Sequence, residues 1–251
     1  MKQNKLSYKI GQFLMFGGPA TILFFAVVIL PFFYGLYLTL TSWDGVSTTK
    51  PFVGLENYKA ALADTAYWQS LGRTFIYSVI AVILTNIVAF LLAYLVTSGI
   101  KGQNFFRAGF FIPNLIGGIV LGYVWKFVFN RAFVAIAEVA TQTDHASLLS
   151  TPNGAMFCLI LVSVWQYAGY MMLIYVAGFM SVDQSLKEAA MIDGCSKIGI
   201  LFKILVPVVQ PAIVSAAIFA FYWIWQDFFQ PLIFVGSPKN YTIPLALNMY
   251  T

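Results

Sequence analysis

Five stretches of this sequence are apolar for long enough to cross a bilayer as helices, at about 13–41, 74–97, 108–129, 156–180 and 212–235. A helix needs about 20 apolar residues to span hydrocarbon. Inside lipid the backbone must satisfy its own polar groups, so the choice lies between helices and a closed barrel. Barrel strands run about 10 residues with alternating polarity, whereas these runs are continuous. The expected fold is therefore all-α and polytopic, one transmembrane domain over 1–251. Composition agrees. Only 9% of residues are charged, against about 25% in soluble domains, too few to cover a globule that faces water.

Lysine and arginine set the orientation. With the N-terminus inside, the inner segments hold Lys2, Lys5, Lys9, Lys101, Arg107, Lys187, Lys197 and Lys203. The outer segments and helix ends hold Lys50, Lys59, Arg73, Lys126, Arg131 and Lys239 over a greater length. That bias favours a cytoplasmic N-terminus, and it places Trp43, Trp68, Trp125 and Tyr241 near the outer interface. The first run is far longer than the h-region of a cleaved signal peptide and reads as an uncleaved span. Segments 42–72 and 130–155 then lie outside, and 98–107 and 181–211 inside.

Several chemistries are poorly supported. The sequence has no G-x-x-x-x-G-K-[ST] for a nucleotide phosphate and no H-E-x-x-H for zinc, and no G-x-S-x-G in a strand–turn–helix setting. His145 beside Asp144 is the single histidine, and it reads as a solvated loop residue rather than a metal ligand. No catalytic residue, metal or resident cofactor is expected. The net charge of +5 is spread over loops, with no basic block to follow a nucleic-acid backbone. Cys158 lies in an apolar run and Cys195 in a polar loop, so no disulfide is expected between them.

The longest inner segment, 181–211, is the most informative. Ser185 followed three residues later by Glu188 has the pattern of a capping box. Helix would run to Asp193, and Gly194 would supply a left-handed stop. A second helix from about Ser196 places Ile198, Leu201, Phe202 and Leu205 on one stripe. Pro207 would end or kink it, and Pro211 suits the first turn of the next span. A helix of about eight residues is not stable alone in water, so the first must dock. Ala189 and Ala190 would allow another surface close to its backbone.

Glu188-Ala189-Ala190, three residues, Gly194, nine residues, Ile204, one residue and Val206-Pro207 resemble the EAA loop of permease subunits in binding-protein-dependent ABC importers. Val206 stands where that family usually has leucine. Ile192-Asp193-Gly194, Phe52 to Tyr58 (FVGLENY), Gly102 to Pro113 (GQNFFRAGFFIP) and the segment from Trp225 to Pro244 are similar to its carbohydrate-uptake, maltose and multiple-sugar type. The resemblance covers nearly the whole chain and implies a type I importer permease core of six spans. The five found here, ending at Thr251, imply a chain that stops before a sixth. It also implies that Ser185, Glu188, Ala189, Ala190, Asp193, Gly194 and Pro207 couple to an ATPase. The implied partners are a second permease subunit, two cytoplasmic ATPase subunits that bind ATP and magnesium, and an extracytoplasmic solute-binding protein. The implied location is the bacterial or archaeal plasma membrane.

Within the spans, Asp227 is an ionisable group in apolar surroundings, which points to function or to a structural hydrogen bond. Tyr222, Trp223, Trp225, Phe228 and Phe229 surround it in sequence. Asn114 and Gln166 are polar groups in other spans, as is Asn86; such residues serve as interhelical glue or as solute contacts. Asn114, Gln166 and Asp227 are the candidates for a solute pathway. Gly118 and Gly122 form a small-residue step suited to close packing. A self-sufficient secondary transporter is the alternative, but it would need midplane coupling carboxylates and repeated halves, and neither is evident.

Overall fold

The computed structural model describes residues 3–141, 143 and 146–248; His145 and Asp144 lie outside them. Among the described residues the regular elements are helices, with one isolated antiparallel bridge between Thr41 and Phe52. The chain forms two compact units that meet in sequence at Thr65 and Ala66.

The first unit holds α1 (Gln3–Phe16), α2 (Gly18–Leu38) and α3 (Glu56–Ala63). Pro31 has no N–H to give the preceding turn, and a π-helical turn, Phe25–Ile29, absorbs the defect just before it. Most of the apolar side chains of α2 are exposed and its span window has none buried, as expected of a lipid-facing span. The FVGLENY segment locks its far end. Gly54 takes a left-handed conformation at φ 61. Asn57 Nδ2 donates to the carbonyls of Thr39 and Thr41 at 2.9 and 2.8 Å, and the Tyr58 and Thr39 hydroxyls share a 2.7 Å bond. These bonds satisfy carbonyls that the helix end would leave open.

The second unit is built on two long helices, α4 (Thr65–Thr97) and α7 (Pro152–Met180). Between them come α5 (Gln103–Phe111), a 3-10 turn at Ile112–Leu115, and α6 (Gly118–Thr141). After α7 follow α8 (Gln184–Ile192), α9 (Ile198–Val208), α10 (Gln210–Trp225), α11 (Phe229–Phe234) and α12 (Ile243–Leu247). Lipid offers no hydrophobic drive between helices, so spans meet where small side chains let backbones approach. Ala81, Thr85, Ala89 and Ala93 make such a face along α4, all fully buried. Gly169 is the closest case: a Cβ there would lie 1.8 Å from the Phe110 carbonyl oxygen, so α5 rests directly on the α7 backbone. Gly118 and Gly122 pack α6 against Phe229 and Ile233 of α11. Asn86 accepts from the Tyr175 hydroxyl at 2.6 Å, a polar link between α4 and α7.

Among the described residues four helices, α2, α4, α6 and α7, are long and apolar enough to cross a membrane, and α9 with α10, bent by 71°, passes the same test as a pair, giving up to five if the pair is one broken span. Two expected runs differ from this. The run at 108–129 is broken at Ile116 and Gly117, after Pro113 has forced a 3-10 turn, and α6 continues to Thr141 into the segment expected as loop. The run at 212–235 is interrupted at Gln226 to Phe228. Pro231 lacks the N–H that would bond the Asp227 carbonyl, so a continuous helix loses a bond at that turn.

Candidate functional site

Two sites emerge in the second unit, one at the turn after α7 and one in a cavity halfway along it.

The turn is made by α8. Its N-cap is Asp183, whose Oδ1 accepts the Ser185 amide at 2.9 Å. Ser185 therefore lies inside the helix, and the expected capping box is not formed. Val182-Asp183 leaves the preceding helix two residues earlier than the Ser185-x-x-Glu188 pattern implies, and a carboxylate suits the cap position as well as a hydroxyl does. The Ser185 amide holds the Asp183 carboxyl below its ordinary range. Glu188 is exposed and accepts from Gln184 Nε2 at 3.3 Å. The other end matches expectation. Gly194 sits at φ 78, the Cys195 amide reaches the Ala190 carbonyl at 2.9 Å, and the Gly194 amide reaches the Met191 carbonyl at 3.1 Å. These are the two bonds of a Schellman stop after Asp193. Ser196 Oγ then accepts the Gly199 amide at 3.1 Å and caps the next helix.

The faces of this element need one correction. Ala189 is exposed, but Ala190 is 6% exposed and packs inside its own chain. It therefore offers no surface to a partner. The apolar side chains that α8 and α9 present include Leu186, Ile192 (86% exposed), Ile198 and Phe202. The expected stripe from Ile198 to Leu205 is split. Leu201 and Leu205 are buried with Ile200 and Val209, while Ile198 and Phe202 face outward. A π-helical turn at Leu201–Leu205 shifts the register and breaks the 3.6-residue repeat. Pro207 lies in the last turn of α9, just before the 71° bend, and Pro211 in the first turn of α10.

The cavity has a volume of about 410 Å3, and Asn114, Gln166 and Asp227 all line it. Asn114 comes from the 3-10 turn after α5, Gln166 from the middle of α7, and Asp227 from the interruption between α10 and α11. Both breaks in the expected spans thus open at this cavity, which fits the rule that irregular backbone at membrane depth lines a cavity or is buried in protein. Tyr167, Tyr222, Trp223, Gln226, Phe228 and Phe229 complete the wall. Trp223 is held by ring contacts with Tyr170 at 4.8 Å and Tyr167 at 5.6 Å.

Polar bonds fix the wall. Gln230 Nε2 donates to Gln166 Oε1 at 2.6 Å, with both residues buried. Asp227 Oδ1 accepts the Gln230 amide at 3.3 Å. Asp227 Oδ2 and Gln230 Oε1 are buried without a hydrogen-bond partner among the described residues. Tyr77 of α4, joined to Ser163 by a 2.6 Å hydrogen bond, lies close enough to Asp227 for the two to act on each other electrostatically. Gln230, Tyr77 and Ser163 were not singled out from sequence. A glutamine three residues after Asp227 was the available signal for the first; nothing local marks the other two.

Residues 85–251 match the model of the family described as binding-protein-dependent transport system inner membrane component. The probable starch degradation products transport system permease protein AmyD of Thermoanaerobacterium thermosulfurigenes is 33% identical over 94% of this chain and 81% of its own length. The multiple sugar-binding transport system permease protein MsmF of Streptococcus mutans is 29% identical over 88% of this chain and 77% of its own length. A solved bacterial ABC transporter involved in import of the acidic polysaccharide alginate contains a chain with the same fold, at TM-score 0.81 and 17% identity. That match covers 98% of this chain and 85% of the other. The family match over residues 85–251 and the likeness to AmyD show that the chain belongs to the binding-protein-dependent transport system inner membrane components.

Proposed function

We propose that this chain is one permease subunit of an ATP-driven importer that passes a sugar or oligosaccharide delivered by an extracytoplasmic binding protein. The observation that carries the reading is the cavity, where amides, a carboxylate and aromatic rings converge on one space of ligand size. Hydroxyl groups of a sugar match the amides and the carboxylate, and its C–H faces match Trp223 and Phe229. AmyD and MsmF are named for transport of starch products and multiple sugars, which supports the solute class.

In this reading α8 lies on the cytoplasmic side, as the lysine and arginine bias favours, and docks on an ATPase subunit. Its exposed Leu186 and Ile192, with Ile198 and Phe202 of the next helix, supply an apolar contact, and the exposed Glu188 can meet a basic group. ATP and magnesium are bound by two such ATPase subunits, and a second, unlike permease completes the pathway. The secondary-transporter alternative lacks support from the family match.

The test is copurification followed by reconstitution. The tagged chain, expressed with its operon partners, should bring down an ATPase whose hydrolysis rises on adding sugar-loaded binding protein. Uptake that persists in ATP-depleted vesicles and follows an ion gradient would refute the reading.

A further inference from the structure

The cavity wall holds a single carboxylate, Asp227, and its described lining contains no lysine, arginine or histidine. A backbone amide donates to its Oδ1, and its Oδ2 is buried without a hydrogen-bond partner among the described residues. A solute carrying its own carboxylate or phosphate would set a second acidic group beside Asp227 in a space of about 410 Å3, and two acidic groups that share one site disfavour each other's ionised forms. A hydroxyl, by contrast, can donate to a carboxylate, and charge-assisted bonds of this kind are strong. Gln166 supports the same choice. Its Oε1 is engaged by Gln230, so its amide hydrogens remain to bond the oxygens of a polyhydroxy solute.

We infer that this permease passes neutral or amino-bearing sugars and that Asp227 is the residue that rejects acidic ones. The inference rests on the sugar-importer reading above. It separates this chain from proteins it resembles, since one solved neighbour belongs to an importer of the acidic polysaccharide alginate. Another relative, UgpA of Rhizobium meliloti, is named for sn-glycerol-3-phosphate transport.

Equilibrium binding to the complete transporter in nanodiscs tests it, with the binding protein left out so that its own selectivity does not intervene. The probes are glucose, maltotriose and raffinose, each compared with its C6-carboxylate and C6-amino forms. For any parent sugar that binds, the carboxylate form should bind at least tenfold more weakly and the amino form at least as well. In Asp227→Asn, which keeps an oxygen to accept the Gln230 amide, the gap between parent and acid should shrink to threefold or less. An acid that binds wild type as well as its parent would overturn the inference, as would a gap that Asp227→Asn leaves unchanged. The wild-type ranking decides alone if that variant fails to assemble. If no neutral, acidic or amino sugar binds, the sugar reading itself falls and takes the inference with it.

Discussion

Gly194 allows the coupling proposal to be tested with a graded series. A Cβ at this position would meet no atom within 4 Å, so substitution costs nothing in packing and the whole penalty lies in the backbone. At φ 78, an alanine costs about 1–2 kcal/mol relative to glycine, which lowers the population of the closed turn by roughly 5- to 30-fold. Valine costs more because its branched Cβ crowds the left-handed region, and asparagine costs less because it tolerates that region best. The Cys195–Ala190 and Gly194–Met191 bonds are the ones at stake, and with them the direction in which Ile192 points. Membrane insertion should be unaffected, since the change lies outside the spans. Uptake in reconstituted vesicles, at matched expression, should fall in the order Gly, Asn, Ala, Val, through lost ATPase binding or hydrolysis uncoupled from solute. Wild-type uptake by Gly194→Val with the ATPase bound and solute still stimulating it would refute the assignment, and so would an asparagine variant as impaired as valine.

Other outcomes follow from single contacts. Asp183→Ala should destabilise α8 and lower ATPase copurification, whereas Ser185→Ala should do less, because it leaves the backbone amide on the Asp183 carboxylate. Its carboxyl is depressed in the folded state by the Ser185 amide, so the cap contributes fully above the ordinary carboxyl range and is lost as pH falls through the lowered value; amide exchange of α8 against pH would follow this. Gly169→Ala should cost at least the upper end of about 1–3 kcal/mol for overpacking, because the clash is with the Phe110 backbone. Gly122→Ala should cost less, because it meets the flexible end of Ile233; melting temperatures in detergent would rank the two. Asp227→Asn and Gln166→Ala should each impair uptake and solute-stimulated hydrolysis at normal expression, and unchanged rates would assign both residues to packing. Cysteines placed singly in a thiol-free chain should be labelled from outside at position 144 and protected at 197; the reverse would overturn the orientation.

Much of the helical class was legible because hydrocarbon leaves few options for a continuous apolar run. The interruptions were harder to read. Pro113 and Pro231 were visible, but proline within a transmembrane run is often tolerated, and only the cavity explains why the chain breaks there. The short inner helix was legible at its glycine end, where a left-handed residue has few substitutes. It was misread at its start, where Asp183 and Ser185 are both good caps and the local pattern does not choose between them. Ala190 shows a further limit: a small residue permits close approach, but sequence does not say whether the partner is another chain or the same one. Asn114, Gln166 and Asp227 stood out as polar residues in apolar runs. Their meeting in one cavity, and the Gln230–Gln166 bond that steadies it, depend on tertiary contacts between residues up to 113 positions apart.

The two sites are joined by one continuous piece of chain, and that arrangement gives the proposed coupling a physical route. Gln166 lies 14 residues before the end of α7, so at 1.5 Å per residue the cavity stands about 20 Å from the turn that leads to α8. Beyond the Gly194 stop, α9 is seated by Leu201, Leu205 and Val209, then bends by 71° into α10. Gly178 of α7 meets Ala212 and Val209 there, with a Cβ at Gly178 only 3.1 Å from Ala212 Cβ. The bend is therefore packed against α7 rather than free to swing. The far end of α10 supplies Tyr222 and Trp223 to the cavity, and Gln226, Asp227 and Phe228 follow it without regular helix. A displacement applied to α8 would travel along α9, turn at Val209 and reach the cavity wall at the point where the helix ends. Packed helices transmit such shifts because interiors are dense and yield little, and the interruption at Gln226 to Phe228 is where the backbone can take up the change.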